Sequence, residues 1–592
     1  MKSARTVTEY EESIAAMETP GHPDGVTTDR RAEAMGRDLE QLPSGYFYSA
    51  RFIGSYCAIG LAFACGTGGF ALVAPILSQI NNSFAEPSPD IVWVGIVYTM
   101  MQAVMFLLVG RLSDIFGRRW FFIIGSAIGM AGSIVAATAH GVAQIIAGET
   151  LIGIAAGFQI SFFWVVSEIV PMNRRFIATS GIFLWSVPTN ALGPNIALTI
   201  VANTASGWRA CFYLLIALNA ASTLCWYLFY YPPNFNQLHE TKTARYLLRH
   251  FDYVGLVLFS AAMALLLTGL SWGGVLYPWN SAYVLGTIIS GAVCLVAFAL
   301  YETFMPLSDP YLPVELLKNI QFTSCAVWCS IAAMTFYAFG LIWPRAVPIL
   351  YPELEPDVQR TYAGLVVTCF AFGQMAGPFC TNWIPAKPFI IVGSIISLPL
   401  LTALAADPMN IDMTLAFLIT GNFILGAADG VALPMTTFPL RTQEEIGTAG
   451  GLSGSIRLTG TSIAVAIYST ILNNRLEITV PRSVGSAIQN ANLPESVVPT
   501  IIAVLDRGER LLNTTAQGLT ADNIPLIEHA FRLGNSEAYR TVFLSTLGFG
   551  VLSVVLVWFI GGVDESDPPH YVASQIAAPA PSDEKSNAET SV

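Results

Sequence analysis

The chain has 592 residues, of which 54% are hydrophobic and 11% are charged, and its formal net charge is −12. Ordinary soluble proteins contain about 25% charged residues, so this composition excludes a set of soluble domains and indicates a polytopic membrane protein. The sequence has no basic domain of the kind that a nucleic-acid partner needs.

The first 49 residues are polar and charged, and we interpret them as a cytoplasmic tail. The apolar run that follows is too long for the hydrophobic region of a cleavable signal peptide, so we expect it to remain as the first membrane span. A spanning helix needs about 20 apolar residues. Fourteen runs meet this condition: 52–80, 91–110, 120–139, 142–165, 176–200, 210–232, 253–272, 282–301, 322–344, 362–381, 388–406, 413–436, 447–472 and 541–563.

The spacing of these runs indicates an all-α membrane protein with six, two and six transmembrane helices. An N-terminal six-helix bundle is predicted over 50–232, a cytoplasmic linker over 233–252 and two extra central helices over 253–302. A C-terminal six-helix bundle over 303–563 contains a polar segment, 474–539, that we interpret as a long extracellular loop. A cytoplasmic tail over 564–592 ends the chain.

Short loops set the expected orientation, because their Lys and Arg residues stay in the cytoplasm. With the N-terminus inside, the short outer loops hold little beyond Arg209, Arg345 and Arg360. Both termini are then cytoplasmic. The same orientation places two sequons outside, which makes Asn81 and Asn513 candidate glycosylation sites.

The sequence offers no sign of a cofactor or an enzyme site. All nine cysteines lie in apolar stretches, and no His or further Cys joins Cys325 and Cys329 to complete a metal site. There is no Walker A pattern for ATP and no nucleophile–base set. We therefore expect no bound metal or cofactor and an ion gradient as the driving force.

The stretch GRLSDIFGRR, residues 110–119, lies between the second and third apolar runs. A cytoplasmic position explains its arginines but not its acid or its glycines. Gly110 permits two spans to approach closely, and Gly117 permits a tight reversal. Asp114 and Arg118 are four residues apart and can pair across one helical turn.

This pattern resembles the loop motif that follows span two in the major facilitator superfamily, where it is thought to hold the two halves together in one state. The resemblance implies a major facilitator fold, with two related halves. We interpret Glu168, at the end of span four, as a partner of the loop arginines. The candidate gating residues are Gly110, Asp114, Gly117, Arg118, Arg119 and Glu168.

Further resemblances narrow the family. Fourteen spans are similar to the drug:proton antiporter branch, and Gly193-Pro194 in span five is similar to part of that branch's kink motif. WVVSEIVPMNRR (164–175), FDYVGLVLF (251–259) and LSWGGVLYPWNSA (270–282) resemble the fungal trichothecene efflux pump family. That family implies export of fungal toxins or related apolar compounds.

Charged groups inside spans are costly and usually functional, which makes Glu149, Asp429 and Arg457 the candidates for proton coupling. Glu149 stands where the antiporter branch usually has arginine in an R-x-x-Q-G motif. Asp429 and Arg457 lie on neighbouring spans and can pair, which suits a structural salt bridge as well as a coupling role. Polar side chains expected along a substrate path are Gln102, Gln159, Trp185, Asn190 and Asn195.

The sequence therefore favours a proton-coupled exporter of hydrophobic small molecules at the plasma membrane, with the vacuolar membrane as the alternative location. A proton-coupled importer of ferric siderophores is a second hypothesis, and a non-transporting membrane sensor is a third. The expected partners are the lipid bilayer, the small-molecule substrate and protons, with no obligate protein partner evident.

Overall fold

A computed structural model of the chain describes residues 45–86, 88–171, 174–232, 251–274, 277–305, 311–312, 314–439, 446–491, 493–506, 511 and 523–561. The side chains of Asp114 and Glu168 lie outside the described part, as do Asn513 and most of the predicted linker 233–252.

The described chain is helical because apolar segments in lipid must satisfy their backbone hydrogen bonds internally. The helices of the N-terminal half are α1 (Ala50–Ala71), α2 (Leu77–Asn82), α3 (Trp93–Phe116), α4 (Arg118–Ala137), α5 (Val142–Gln159), α6 (Phe162–Ile169), α7 (Arg175–Ser186), α8 (Gly193–Asn203) and α9 (Arg209–Phe229).

Two central helices and the C-terminal half follow. These helices are α10 (Tyr253–Trp272), α11 (Ala282–Phe304), α12 (Val314–Lys318), α13 (Ile320–Leu350), α14 (Pro356–Cys380), α15 (Ala386–Ala403), α16 (Ile411–Met435), α17 (Ile446–Asn490), α18 (Val498–Asp506) and α19 (Ile524–Val557).

Within the described residues, thirteen helical segments are long and apolar enough to cross a membrane. They correspond to thirteen of the fourteen predicted spans. The remaining prediction, 176–200, coincides with a broken helix made of α7, a π-helical turn at Val187–Ala191 and α8. The count of fourteen and the side on which the termini lie remain predictions.

The polar segment 474–539, predicted as a long loop, is largely helical where the structure describes it. Helix α17 continues to Asn490, α18 covers Val498–Asp506, and α19 begins at Ile524. These extensions are helical because they carry an apolar stripe: Val480, Val484 and Ile488 pack in one cluster with Ile527 and Phe531. The segment's extracellular position remains a prediction.

Each half is a bundle with its own internal contacts. In the N-terminal half α4 packs on α5 and α9, α3 packs on α5, and α1 packs on α9. In the C-terminal half α14 packs on α16, α13 and α19 pack on α17, and α15 packs on α16 and α19. The halves meet along two seams, α3 with α17 and α7 with α14.

The extra helices α10 and α11 form a hairpin beside the first of these seams. Trp272, at the end of α10, contacts Trp93 of α3 with ring centroids 5.5 Å apart. Between α10 and α11, Trp279 Nε1 donates to Thr470 Oγ1 of α17 over 2.8 Å. The α10–α11 turn therefore contacts both halves at once.

The turn between α3 and α4 defines one side of the bundle, which we call the motif side; the other is the opposite side. Gly117 makes this turn with φ 88° and ψ 146°, a conformation that is almost restricted to glycine. The predicted role of Gly117 in a tight reversal thus has a backbone explanation.

We predict that Gly117→Ala lowers stability by about 1–3 kcal/mol, the typical cost of a non-glycine residue in this region. The measurement is the apparent Tm of detergent-purified protein. Gly286→Ala is the matched control, because Gly286 lies within helix α11 and a Cβ there meets no atom within 4 Å. An unchanged Tm for Gly117→Ala would contradict the strained turn.

Candidate functional site

On the motif side, the two halves are held together by a contact between backbones. A Cβ on Gly110 of α3 would collide with the carbonyl oxygen of Gly447 and lie 3.2 Å from the Cα of Gly451, both on α17. Further along the same seam, Ser455 Oγ donates to the carbonyl of Ala103 over 3.0 Å. The close approach that Gly110 predicts is therefore an approach between the two halves.

Next to the second seam, the segment that follows α16 also contacts the N-terminal half on the motif side. The hydroxyls of Ser167 and Thr437 lie 3.3 Å apart, and the rings of Phe176 and Phe438 meet edge to face at 5.4 Å. One turn further, Ser180 Oγ donates to the carbonyl of Met375 on α14. The two halves are therefore closely packed on the motif side.

One of the loop arginines, Arg119, is held within the N-terminal half. Arg119 Nη2 donates to the carbonyl of Tyr227 over 2.7 Å, and its guanidinium lies 3.9 Å from the ring centroid of Tyr231. Arg118 is buried at the start of α4. Arg119 thus fixes the loop to the end of α9, and the predicted pairing through Asp114 and Glu168 lies outside the described side chains.

The fifth span breaks where the sequence predicts a kink. Pro194 has no N–H to continue the ladder, and Leu192 N instead bonds to Val187 O over 2.9 Å in a π turn. Helix α8 then begins at Gly193, and a Cβ there would lie 3.2 Å from the Cβ of Ala71 on α1. The break exposes the Ala191 carbonyl, which accepts from Thr368 Oγ1 over 2.7 Å across the seam with α14.

The five predicted substrate-path residues lie in different places in the structure. Asn195 lies beside Gly364 of α14, at the seam between the halves, and Asn190 is half-buried in the π turn. Trp185 packs against Gly60 of α1. Gln159 is placed elsewhere: its amide donates to Asn219 Oδ1 over 2.6 Å, inside the N-terminal bundle.

Gln102, the fifth predicted path residue, is buried on α3 one turn from Tyr98. Residues four apart share a helix face, so Gln102 and Tyr98 lie on the same face. That face packs on α5, where Gly153 accommodates the Tyr98 backbone.

Asp429 and Arg457 form a buried ion pair inside the C-terminal half. Arg457 Nη1 lies 2.5 Å from Asp429 Oδ1, and Nη2 donates to Oδ2 over 2.9 Å. Gln374 Nε2 also donates to Oδ2 over 2.8 Å, and Arg457 reaches the Cys329 carbonyl at 3.4 Å. The pair thereby connects α13, α14, α16 and α17.

Glu149 has the opposite environment. Its side chain is 1% exposed in α5, and Oε1 has no hydrogen-bond partner among the described residues. It lines a small cavity on the opposite-side half of the bundle, bounded by α1, the segment from Val73 to Leu77, α3 and α5. Phe70 and Tyr98 form the aromatic part of its wall.

Sequence reasoning did not identify three residues at these sites: Phe70, Tyr98 and Gln374. The sequence contains one usable signal, the four-residue spacing that puts Tyr98 on the face of Gln102. Phe70 is a single aromatic residue among many in apolar runs. Gln374 becomes visible only when α14 and α16 are placed together.

Within the described residues, no three His, Cys, Asp or Glu side chains come together to hold a metal ion. All nine cysteines are free thiols.

Comparisons with known proteins decide the family. Residues 7–578 match the family model described as the fungal trichothecene efflux pump (TRI12). The chain belongs to this family. It is 26% identical over 537 residues to the trichothecene efflux pump TRI12 of Fusarium sporotrichioides, which covers 89% of this chain and 88% of that protein. It is also 25% identical to the MFS-type transporter prx5 of Penicillium rubens, over 90% and 94% of the two chains.

The fold of this efflux pump family member is that of the major facilitator transporters. The crystal structure of the human organic anion transporter MFSD10 superimposes with a TM-score of 0.52 at 11% identity, covering 87% of this chain and 100% of that one. The chain is therefore an all-α, multi-pass membrane transporter, as the sequence analysis expects.

We predict that Asp429→Asn lowers stability by roughly 3 kcal/mol or more, because it leaves the Arg457 charge without its buried partner. The double variant Asp429→Leu with Arg457→Met should recover most of the apparent Tm in detergent, since an apolar pair often replaces a buried ion pair at little cost. Asp357→Asn, which breaks the exposed pair with Arg360, is the control and should change little. A double variant as unstable as the single one would contradict this account.

Proposed function

We propose that this transporter exports apolar fungal secondary metabolites in exchange for protons, by alternating exposure of a central site to the two sides of the plasma membrane. Export and substrate class are supported by membership of the efflux pump family. Trichothecenes are the first compounds to test, because the matched family is described by them.

The observation that carries the proton part of the proposal is the position of Glu149. It is an acid in a spanning helix, buried, beside a cavity, and its Oε1 lacks a hydrogen-bond partner among the described residues. Ionisable groups in such positions commonly relay protons. Gaining or losing a proton changes the cost of keeping this carboxyl in an apolar cavity, so protonation can bias the balance between closed and open states.

A second group has a different role in this proposal. Asp429 is already neutralised by Arg457 and holds three hydrogen bonds from Arg457 and Gln374. It therefore maintains the C-terminal bundle, while Glu149 exchanges the proton.

The energy available from protons is adequate for efflux. One proton moving down 100 mV supplies about 2.3 kcal/mol, which corresponds to a concentration ratio of roughly fifty.

We predict that Glu149→Gln abolishes gradient-driven efflux while leaving protein levels normal, because glutamine keeps the side chain's size but cannot exchange a proton. The measurement is intracellular accumulation of a trichothecene in a pump-deficient yeast that expresses the chain at its surface, with and without an uncoupler. Glu537→Gln, a change at an exposed glutamate of α19, is the matched control and should behave as wild type.

Three results would contradict the proposal. Efflux by Glu149→Gln that still collapses with an uncoupler would remove Glu149 from the proton path. Wild-type efflux that is insensitive to the uncoupler would remove proton exchange altogether. Rescue of an iron-starved strain by ferric siderophore, without any efflux, would reverse the direction of transport.

A further inference from the structure

The cavity beside Glu149 has one wall that reaches the other half of the protein. Phe70, near the end of α1, lines the cavity together with Tyr98 of α3. The Phe70 ring lies 5.6 Å from the ring of Tyr98, centroid to centroid. It also lies 6.4 Å from the ring of Tyr337, which belongs to α13 in the C-terminal half.

The aromatic contact continues into the C-terminal half. Tyr337 packs on Phe336 at 4.9 Å, and Phe336 stacks on Phe370 of α14 at 4.2 Å. A chain of rings thus runs from the wall of the Glu149 cavity to the seam helix α14. Phe70 is the ring at which this chain passes from one half to the other.

The rest of the cavity wall is fixed within the N-terminal half. The Tyr98 hydroxyl donates to the carbonyl of Gly66 on α1. Gly69 lets α1 approach α5 closely, because a Cβ there would lie 2.6 Å from Ile152 and 3.1 Å from the Tyr98 ring. Phe70 is half-buried and packs on Tyr337 in the other half.

Few charged groups face this cavity. Glu149 and Tyr98 are the titratable residues of its lining, and the remaining lining residues are apolar or glycine. Tyr337 faces it from α13 through Phe70. On the other side of α5, Ala136 and Gly132 of α4 pack against Gly148. The cavity beside Glu149 is therefore walled mostly by apolar and aromatic side chains.

We propose that Phe70 is a positioning residue that couples movement of the two halves to proton access at Glu149. While Tyr337 packs on Phe70, the ring is held in the wall of the cavity and narrows the access to Glu149. When the C-terminal half moves away on the opposite side, the ring loses that support and the cavity opens to the proton reservoir. This inference rests on the proposed proton exchange at Glu149.

The test is the coupling between proton and substrate fluxes in the full chain reconstituted in proteoliposomes. A pH-sensitive dye inside the vesicles reports protons, and radiolabelled T-2 toxin, a trichothecene, reports transport. For Phe70→Ala we expect proton leakage without toxin to rise and protons moved per toxin to depart from the wild-type ratio, each by roughly two- to tenfold, the range that the loss of one aromatic pair implies.

Further variants separate coupling from folding. Phe70→Tyr keeps the ring and should restore the wild-type coupling ratio. Tyr337→Leu removes the same contact from the other half and should reproduce the leak of Phe70→Ala. Phe389→Ala is the matched control, because Phe389 is a half-buried phenylalanine of α15, a helix that packs on α16 and α19 in the C-terminal half.

The outcomes distinguish the two proposals. Suppose that wild type moves protons with toxin and Glu149→Gln does not. If Phe70→Ala and Tyr337→Leu then both show the wild-type ratio of protons to toxin and the wild-type rate of proton leakage, the inference about Phe70 is overturned and proton exchange stands. If wild type carries toxin without protons, the proposed function fails and the inference falls with it. A leak that appears equally in Phe389→Ala would show a general packing defect and would also overturn the inference.

Discussion

The close contact between α3 and α17 on the motif side is the constraint on which the rest of the arrangement depends. Gly110 meets Gly447 and Gly451 so closely that a single methyl group on Gly110 would collide with backbone. Small residues allow helices in lipid to approach to this distance, where packing replaces the hydrophobic effect as the attraction. This contact joins the two halves on the motif side.

The packing of the two halves on the motif side also explains why the stretch 110–119 contains residues that an ordinary positively charged loop does not need. Gly110 serves the seam, and Gly117 makes a reversal with positive φ. Arg119 fixes the loop to α9 through the Tyr227 carbonyl and the Tyr231 ring. The loop is thereby part of a rigid N-terminal bundle that presents Gly110 to the other half.

The two halves use their buried charges differently. In the C-terminal half, Asp429 and Arg457 compensate each other and connect four helices, so both charges have partners in the observed state. In the N-terminal half, Glu149 lies beside a cavity and its Oε1 has no described partner. A neutral pair suits a rigid body, and a single carboxyl suits a group whose charge changes during transport.

Much of the fold follows from the sequence, because length and hydrophobicity alone define a spanning helix. The pairing of Asp429 with Arg457 could be anticipated from their positions on neighbouring spans, and the break before Gly193 from proline chemistry. The helical extension of α17 could not, since its stripe of Val480, Val484 and Ile488 lies in a polar segment whose partner, α19, is some 40 residues away. The inward position of Gln159 and the bridge through Phe70 depend on which helix faces meet, and one sequence does not contain that information.

The measurement that tests the account most directly is a reversible cross-link between the two halves on the motif side. The hydroxyls of Ser167 and Thr437 are 3.3 Å apart and belong to different halves, so Ser167→Cys with Thr437→Cys should form a disulfide in this state. If transport requires the halves to separate here, oxidation will stop trichothecene efflux and reduction will restore it, while each single variant stays active in both conditions. Full efflux by a completely cross-linked protein would contradict separation of the two halves on the motif side during transport.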